Sequence, residues 1–135
     1  MLKKKLGIEC IEMGWKDRID FIYDYYKIPP TLIISKGVKE IGDYAFCASV
    51  GNCYKLKEVV IPNGCECIGR DAFDSCFGLE KVEIPESVES IGEDAFYSCE
   101  NAEVIIYKFE KVKYIGNYAF SWCKSVKYVK EKTRT

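Results

Sequence analysis

A repeat solenoid built mainly from β-strands is the fold that this sequence predicts, and three observations predict it. The motif Ile-Gly-x-x-Ala-Phe occurs four times in 135 residues, starting at positions 41, 68, 91 and 115. Three of the four repeats also contain two apolar residues separated by one residue, which is the period of a strand with one buried face, and the pair of the last repeat fails at Glu131. The copies recur at intervals of 27, 23 and 24 residues, and a unit of that length buries its apolar side only when copies stack.

Each recurring position of the repeat has a physical role. Pro62 and Pro85 end two of the strands, because proline cannot donate to a ladder. The glycine is expected to turn the chain tightly with a positive φ. Alanine and phenylalanine are expected to fill an interior layer, so that like side chains form ladders along the stack. A cysteine follows each phenylalanine, directly by three residues or after an insertion in the first copy, at Cys53, Cys76, Cys99 and Cys123.

The whole repeat reads L-x-x-V-x-I-P-x-x-V-x-x-I-G-x-x-A-F-x-x-C, and its best copy is LEKVEIPESVESIGEDAFYSC at 79–99. This unit resembles the BspA-type leucine-rich repeat family over residues 32–130. The resemblance implies a right-handed solenoid of about four repeats with short parallel strands. Family members are often bacterial cell-surface proteins that bind host proteins or other cells, and others occur in protists.

The two ends of the chain depart from the repeat. Residues 1–31 are predicted to cap the solenoid, with an amphipathic helix at 15–28 that Pro29-Pro30 ends. The alternative is that this segment is a partner helix or an interface belonging to a longer assembly. Residues 131–135 are predicted to be a polar tail, and a weakly capped end permits association, so we expect a monomer or a weak homo-oligomer. The apolar positions of the predicted helix are Trp15, Ile19, Ile22 and Tyr26.

The composition argues against an enzyme. The chain contains no histidine, which removes the commonest general base and the usual Cys-His and Ser-His pairs. The carboxylate pair Glu93-Asp94 stands in the variable x-x slots of the motif, which indicates a solvated turn. No catalytic residue and no cofactor are predicted.

Most of the cysteines are expected to pack in the interior rather than to react or bind a metal. Eight cysteines without an evident signal favour a reducing compartment and free thiols, and the cysteines of the repeat are expected to form a buried ladder. Alternation points Cys65 and Cys67 to opposite faces, so no metal site is predicted. Cys10 and Cys47 have no assigned place and are candidates for reactive surface thiols.

Charge is distributed in three blocks, with net charges of +3 in residues 1–57, −10 in residues 58–103 and +6 in residues 104–135. The acidic middle block, residues 58–103, is either an ordinary solvated surface or a docking face for a partner with a basic face. No stretch approaches the ~18 apolar residues that span a membrane. The pI of about 5.6 argues against a general nucleic-acid binder, although a local basic and aromatic patch at 108–134 is an alternative.

The outer face of the strands is the candidate binding surface. Apolar side chains among its residues indicate the β-propensity of a flat face, a face that the N-terminal segment covers, or a contact patch for a partner. Alternation along each strand assigns nine residues to this face: Ile33, Glu58, Val60, Lys81, Glu83, Val104, Ile106, Tyr128 and Lys130.

We therefore predict a non-catalytic protein–protein interaction module. A small cytoplasmic binder or inhibitor of another protein is the main interpretation, because the chain is short, rich in thiols and without an evident signal. The alternative is a surface adhesion or host-interaction module of a secreted bacterial protein. A structural or assembly subunit is a further alternative.

Overall fold

The computed structural model describes residues 30–47 and 55–130 with their side chains, and the backbone alone of three strands nearer the N-terminus. In this part of the chain, successive coils contribute strands to two sheets, and no α-helix is present. The strands are β1 (Leu2–Lys5), β2 (Ile8–Ile11), β3 (Arg18–Ile19), β4 (Thr31–Ile34), β5 (Glu40–Ile41), β6 (Glu58–Val60), β7 (Cys67–Ile68), β8 (Lys81–Ile84), β9 (Ser90–Ile91), β10 (Glu103–Tyr107), β11 (Tyr114–Ile115) and β12 (Ser125–Val129).

The larger sheet has the strand order β1-β2-β4-β6-β8-β10-β12. Its strands are parallel except that β1 pairs antiparallel with β2. In β8, Val82 and Ile84 are fully buried, whereas Lys81 and Glu83 point outward. The V-x-I pattern therefore forms strands with one buried face, as the period of two predicts.

The smaller sheet has the order β11-β9-β7-β5-β3 and is built from two-residue strands. Each motif isoleucine from Ile41 to Ile91 is buried completely. The prediction of a positive φ for the motif glycines is wrong, because among the described glycines only Gly37 and Gly64 have one. A Cβ on Gly92 would lie 2.6 Å from the Arg70 nitrogen in the preceding coil, so close approach of the coils requires glycine here.

Left-handed backbone occurs instead at the second variable residue of each motif. There φ lies between 54° and 61°, a region that most residues other than glycine avoid. The Asp71 amide donates to the Glu93 carbonyl of the next coil at 2.9 Å, so these turns add hydrogen bonds between coils. The residues with this conformation are Tyr44, Asp71, Asp94 and Tyr118.

The predicted interior ladders of isoleucine, phenylalanine and cysteine are confirmed. Phe73 stacks on Phe46 at 5.2 Å and on Phe96 at 5.0 Å between ring centroids, and Phe120 follows Phe96 at 5.7 Å. The thiol of Cys99 donates to the Phe73 carbonyl at 3.1 Å, so the ladder also binds buried carbonyl groups.

The predictions for the other cysteines differ in how they compare with the structure. Cys65 is fully buried and Cys67 is half-buried, as alternation predicted. Cys47 is not a surface thiol, because it is buried with its sulfur 3.7 Å from Oδ2 of Asp74. Cys53 and the side chain of Cys10 lie outside the described residues.

The predicted helix at 15–28 is wrong at Arg18–Ile19, which form β3. This strand pairs in parallel with β5, and Ile19 is in register with Ile41, so pairing with the next coil overrides the helical spacing of apolar residues. The rest of the predicted helix, including Trp15, lies outside the described residues. Both sheets extend to strands before residue 31, through β2 and β3.

Candidate interaction face

The outer face of the seven-stranded sheet presents two columns of side chains between β4 and β12. Parallel pairing without a change of register aligns the same strand position in each coil. Five of the nine predicted residues lie on this face, namely Ile33, Glu58, Val60, Lys81 and Glu83. The first column contains Thr31, Glu58, Lys81, Glu103 and Ser125, and the second contains Ile33, Val60, Glu83, Ile105 and Lys127.

Val104 and Ile106 do not point outward as predicted, because both side chains are completely buried. Ile84 follows Cys76 by eight residues, whereas Ile106 follows Cys99 by seven. A shift of one residue moves every side chain of a strand to the other face. The outward residues of β10 are therefore Glu103, Ile105 and Tyr107, which the sequence pattern did not reveal.

Tyr128 and Lys130 also do not lie in the columns predicted for them. Tyr128 is in register with Ile106 and so continues the inward column, yet it is 54% exposed because β12 is the last strand of the sheet. Its ring contacts that of Phe109 with centroids 4.8 Å apart. Lys130 follows the end of β12, and Lys127 occupies the column instead.

Polar contacts fix the centre of this face. The Tyr107 hydroxyl donates to Oε1 of Glu83 at 3.0 Å, and Nζ of Lys81 lies 3.8 Å from the same oxygen. Burial first, and then the hydrogen bond to Glu83, raises the pKa of Tyr107. The phenol therefore stays protonated and holds Glu83 in place at neutral pH.

A shallow depression of about 180 Å³ lies beside these groups, and Val60 and Pro85 are among its lining residues. Pockets for small molecules are larger, on the order of 300–1,000 Å³. The depression is therefore better suited to one side chain of a partner than to a whole small ligand.

The groups on this face are aliphatic, hydroxyl, carboxylate and ammonium side chains. The chain has no histidine. Within residues 30–47 and 55–130, no three side chains of the histidine, cysteine, aspartate or glutamate type come together as a metal site would need. The same residues contain no helix with the length and apolar character that crossing a bilayer requires.

One family model and one solved structure are similar to this chain along most of its length. The chain is similar to a leucine rich cell surface protein from Faecalibacterium prausnitzii A2-165, with 24% identity and a TM-score of 0.58. The alignment covers 94% of this chain but 37% of that protein, and at this identity the similarity supports the fold alone. No curated protein matches. Residues 21–133 match the BspA type leucine rich repeat region in six copies. The chain belongs to the BspA-type leucine-rich repeat family.

Proposed function

We propose that this chain is a non-catalytic module of a cell-surface or secreted protein, and that it binds another protein through the outer face of the seven-stranded sheet. The observation that supports this most is the mixture of groups on that face. Val60 is 43% exposed, and Ile105 is half-buried beside the charged side chains of Lys81 and Glu83. Apolar contacts bordered by charges, held on a rigid scaffold, are typical of surfaces that bind proteins.

The family, whose members are often cell-surface proteins, supports an extracellular setting over the cytoplasmic binder or inhibitor that the sequence favours. The free thiols do not oppose that setting. Cys76 and Cys99 are completely buried, and their thiols donate to carbonyl groups of the preceding coil. Inaccessible thiols of this kind form disulfides slowly even in an oxidising compartment.

The test compares the wild-type chain with a variant of the face, Val60→Glu combined with Ile105→Glu. Phe77→Glu is the matched control, because Phe77 is 46% exposed and lies outside both columns. Biotin-labelled chains are titrated onto intact cells, onto extracellular matrix proteins and onto cytoplasmic extract. We expect saturable binding to a cell-surface or matrix protein, a loss of at least about tenfold in the double variant, and little change in the control.

Three results would contradict this proposal. Equal affinity of the double variant and the wild type would exclude the sheet face. Binding to cells that survives protease treatment of the cell surface would exclude a protein partner. Saturable binding found with the cytoplasmic extract alone would return the chain to the intracellular interpretation.

A further inference from the structure

A second exposed surface lies on the turns that follow the motif glycines and shares no residue with the sheet face. Trp122 is 71% exposed and Tyr118 is 67% exposed, so two aromatic side chains are open to solvent at one place. Exposed aromatic clusters on a rigid scaffold commonly mark binding surfaces. They border a shallow groove lined chiefly by Asp71, Asp74, Asp94, Tyr97, Tyr118 and Trp122.

The stacking of coils explains how residues from three turns line one groove. Asp71, Asp94 and Tyr118 occupy the same motif position in successive coils, and the Asp94 amide donates to the Asn117 carbonyl at 3.0 Å. Hydrogen-bonded segments of this kind lie about 4.8 Å apart, so these side chains are neighbours. Trp122 stands where the two preceding coils have serine, so the fold does not require an indole there.

The charge of the groove decides which kind of ligand fits it. Burial, and then the neighbouring carboxylates of Asp74 and Asp94, raises the pKa of Asp71, so these groups repel one another. Two contacts of Asp71 oppose part of this effect: Nε of Arg70 lies 3.9 Å from Oδ2 of Asp71, and Tyr44 forms a hydrogen bond with the same carboxylate. Nη2 of Arg70 lies 2.7 Å from Oε2 of Glu93. A cationic ligand would relieve the repulsion, whereas a neutral ligand such as a sugar would not.

We propose that this aromatic–acidic groove binds a basic segment of a partner protein. An arginine or lysine side chain of that segment lies against the ring of Trp122 or Tyr118 and directs its charge toward the carboxylates. Aromatic faces attract cations within about 6 Å of the ring centroid, and the carboxylates add a Coulombic attraction that salt screens. The contact does not depend on the sheet face, so a partner can engage either surface alone.

The test uses an arginine-rich decapeptide with a fluorescent label as the probe, and its anisotropy as the measurement. A glutamate-rich peptide and a neutral oligosaccharide are the comparison ligands. We expect saturable binding of the arginine-rich peptide that weakens as salt rises, and no binding of the other two. The chain has two tryptophans, so a Trp15→Phe variant makes the fluorescence of Trp122 a local reporter of where the unlabelled peptide binds.

Two variants replace side chains that line the groove and are expected to keep the fold. Trp122→Ser restores the residue that the preceding coils carry, and Asp71→Asn combined with Asp94→Asn keeps a side-chain type that tolerates left-handed backbone. Each is expected to weaken peptide binding at least tenfold. The control, Glu80→Gln with Glu100→Gln, removes the same charge at exposed positions outside both the groove and the sheet-face columns, and is expected to change affinity less than twofold.

Three results would overturn the proposal. Equal losses in the groove and control variants would mean that the peptide senses net charge alone. Unchanged binding by Trp122→Ser would exclude the aromatic contact, provided that its thermal unfolding matches the wild type. Binding of the oligosaccharide without the peptide would make the groove a glycan site. The sheet-face variant, Val60→Glu with Ile105→Glu, is expected to keep full peptide affinity, so failure here is distinguishable from failure of the proposed function.

Discussion

Replacing Gly92 with alanine is expected to separate two coils of the solenoid. A Cβ at this position would lie 2.6 Å from the Arg70 nitrogen and 2.7 Å from the Gly69 carbonyl carbon. Ordinary contacts of a Cβ are 3.4–4 Å, so the coils must move apart by about 0.8 Å (3.4 less 2.6). Both of the atoms met are backbone atoms, so no side-chain rotation relieves the overlap.

The structure gives the magnitude of the loss. The Gly92 amide donates to the Ile68 carbonyl at 2.8 Å, and a shift of about 0.8 Å takes this distance to about 3.6 Å, which is no longer a hydrogen bond. The neighbouring bond from Asp71 to Glu93 lengthens in the same way. Two lost hydrogen bonds cost about 1–3 kcal/mol, and the strain of overpacking adds about 1–3 kcal/mol. The lower chain entropy of alanine in the unfolded state offsets about 0.4–1 kcal/mol, which leaves a net loss of about 1–6 kcal/mol.

Urea unfolding followed by circular dichroism measures this loss as a lower midpoint. Gly64→Ala is the matched control, because Gly64 has a φ of 105° and a Cβ added there would meet no atom within 4 Å. That variant is expected to lose only the backbone term, about 1–2 kcal/mol. A Gly92→Ala chain that loses no more free energy of unfolding than the Gly64→Ala chain would refute the reasoning from close approach.

Three further predictions concern the ladder, the thiols and a carboxyl group. Phe96→Ala is expected to lower the free energy of unfolding by about 3–5 kcal/mol, against at most about 0.5 kcal/mol for the exposed Phe77→Ala; similar losses would contradict the ladder. Burial raises the pKa of Cys65 and of Cys123 to about 12, so iodoacetamide at pH 8 is expected to label both slowly by mass spectrometry until urea unfolds the chain. Asp71→Asn is expected to raise the free energy of unfolding at pH 7. Folding raises the pKa of this carboxyl group, so the folded chain favours its protonated form and loses stability as the pH rises and the group ionises. Asparagine does not ionise and so avoids this loss. That gain is expected to vanish below pH 3.8, the ordinary pKa of aspartate, and a gain that persists there would contradict the assignment.

The sequence predicted best where the spacing inside the repeat is constant. The distance from the motif isoleucine to the phenylalanine does not change between copies, so the Phe73 and Phe96 rings meet as expected. Between the cysteine and the strand the spacing does change. The spacing after Cys99 is one residue shorter, so the predicted inward and outward residues of β10 were exchanged. In a strand, an error of one residue assigns every side chain to the wrong face.

Two other errors had different physical causes. Helical spacing of apolar residues around Ile19 is a local signal, whereas its pairing with Ile41 depends on a coil that begins about twenty residues later. The glycine of the motif was assigned to a turn because glycine often permits a positive φ. Its actual role at Gly92 is to admit the neighbouring coil, and a one-dimensional pattern does not contain the distance between coils.

Recurrence within the chain separates the residues that build the stack from those available for recognition. Isoleucine, alanine and phenylalanine return in every copy of the motif because each must pack on its counterpart in the next coil. Positions that face solvent have no such partner, and there the copies differ. Trp122 and Tyr118 stand where the two preceding coils have serine and aspartate, and Ile105 stands beside Glu83 of the neighbouring strand. Because packing accounts for the repeated residues, the search for a partner is best directed at these departures from the repeat, first on the sheet face and then in the aromatic–acidic groove.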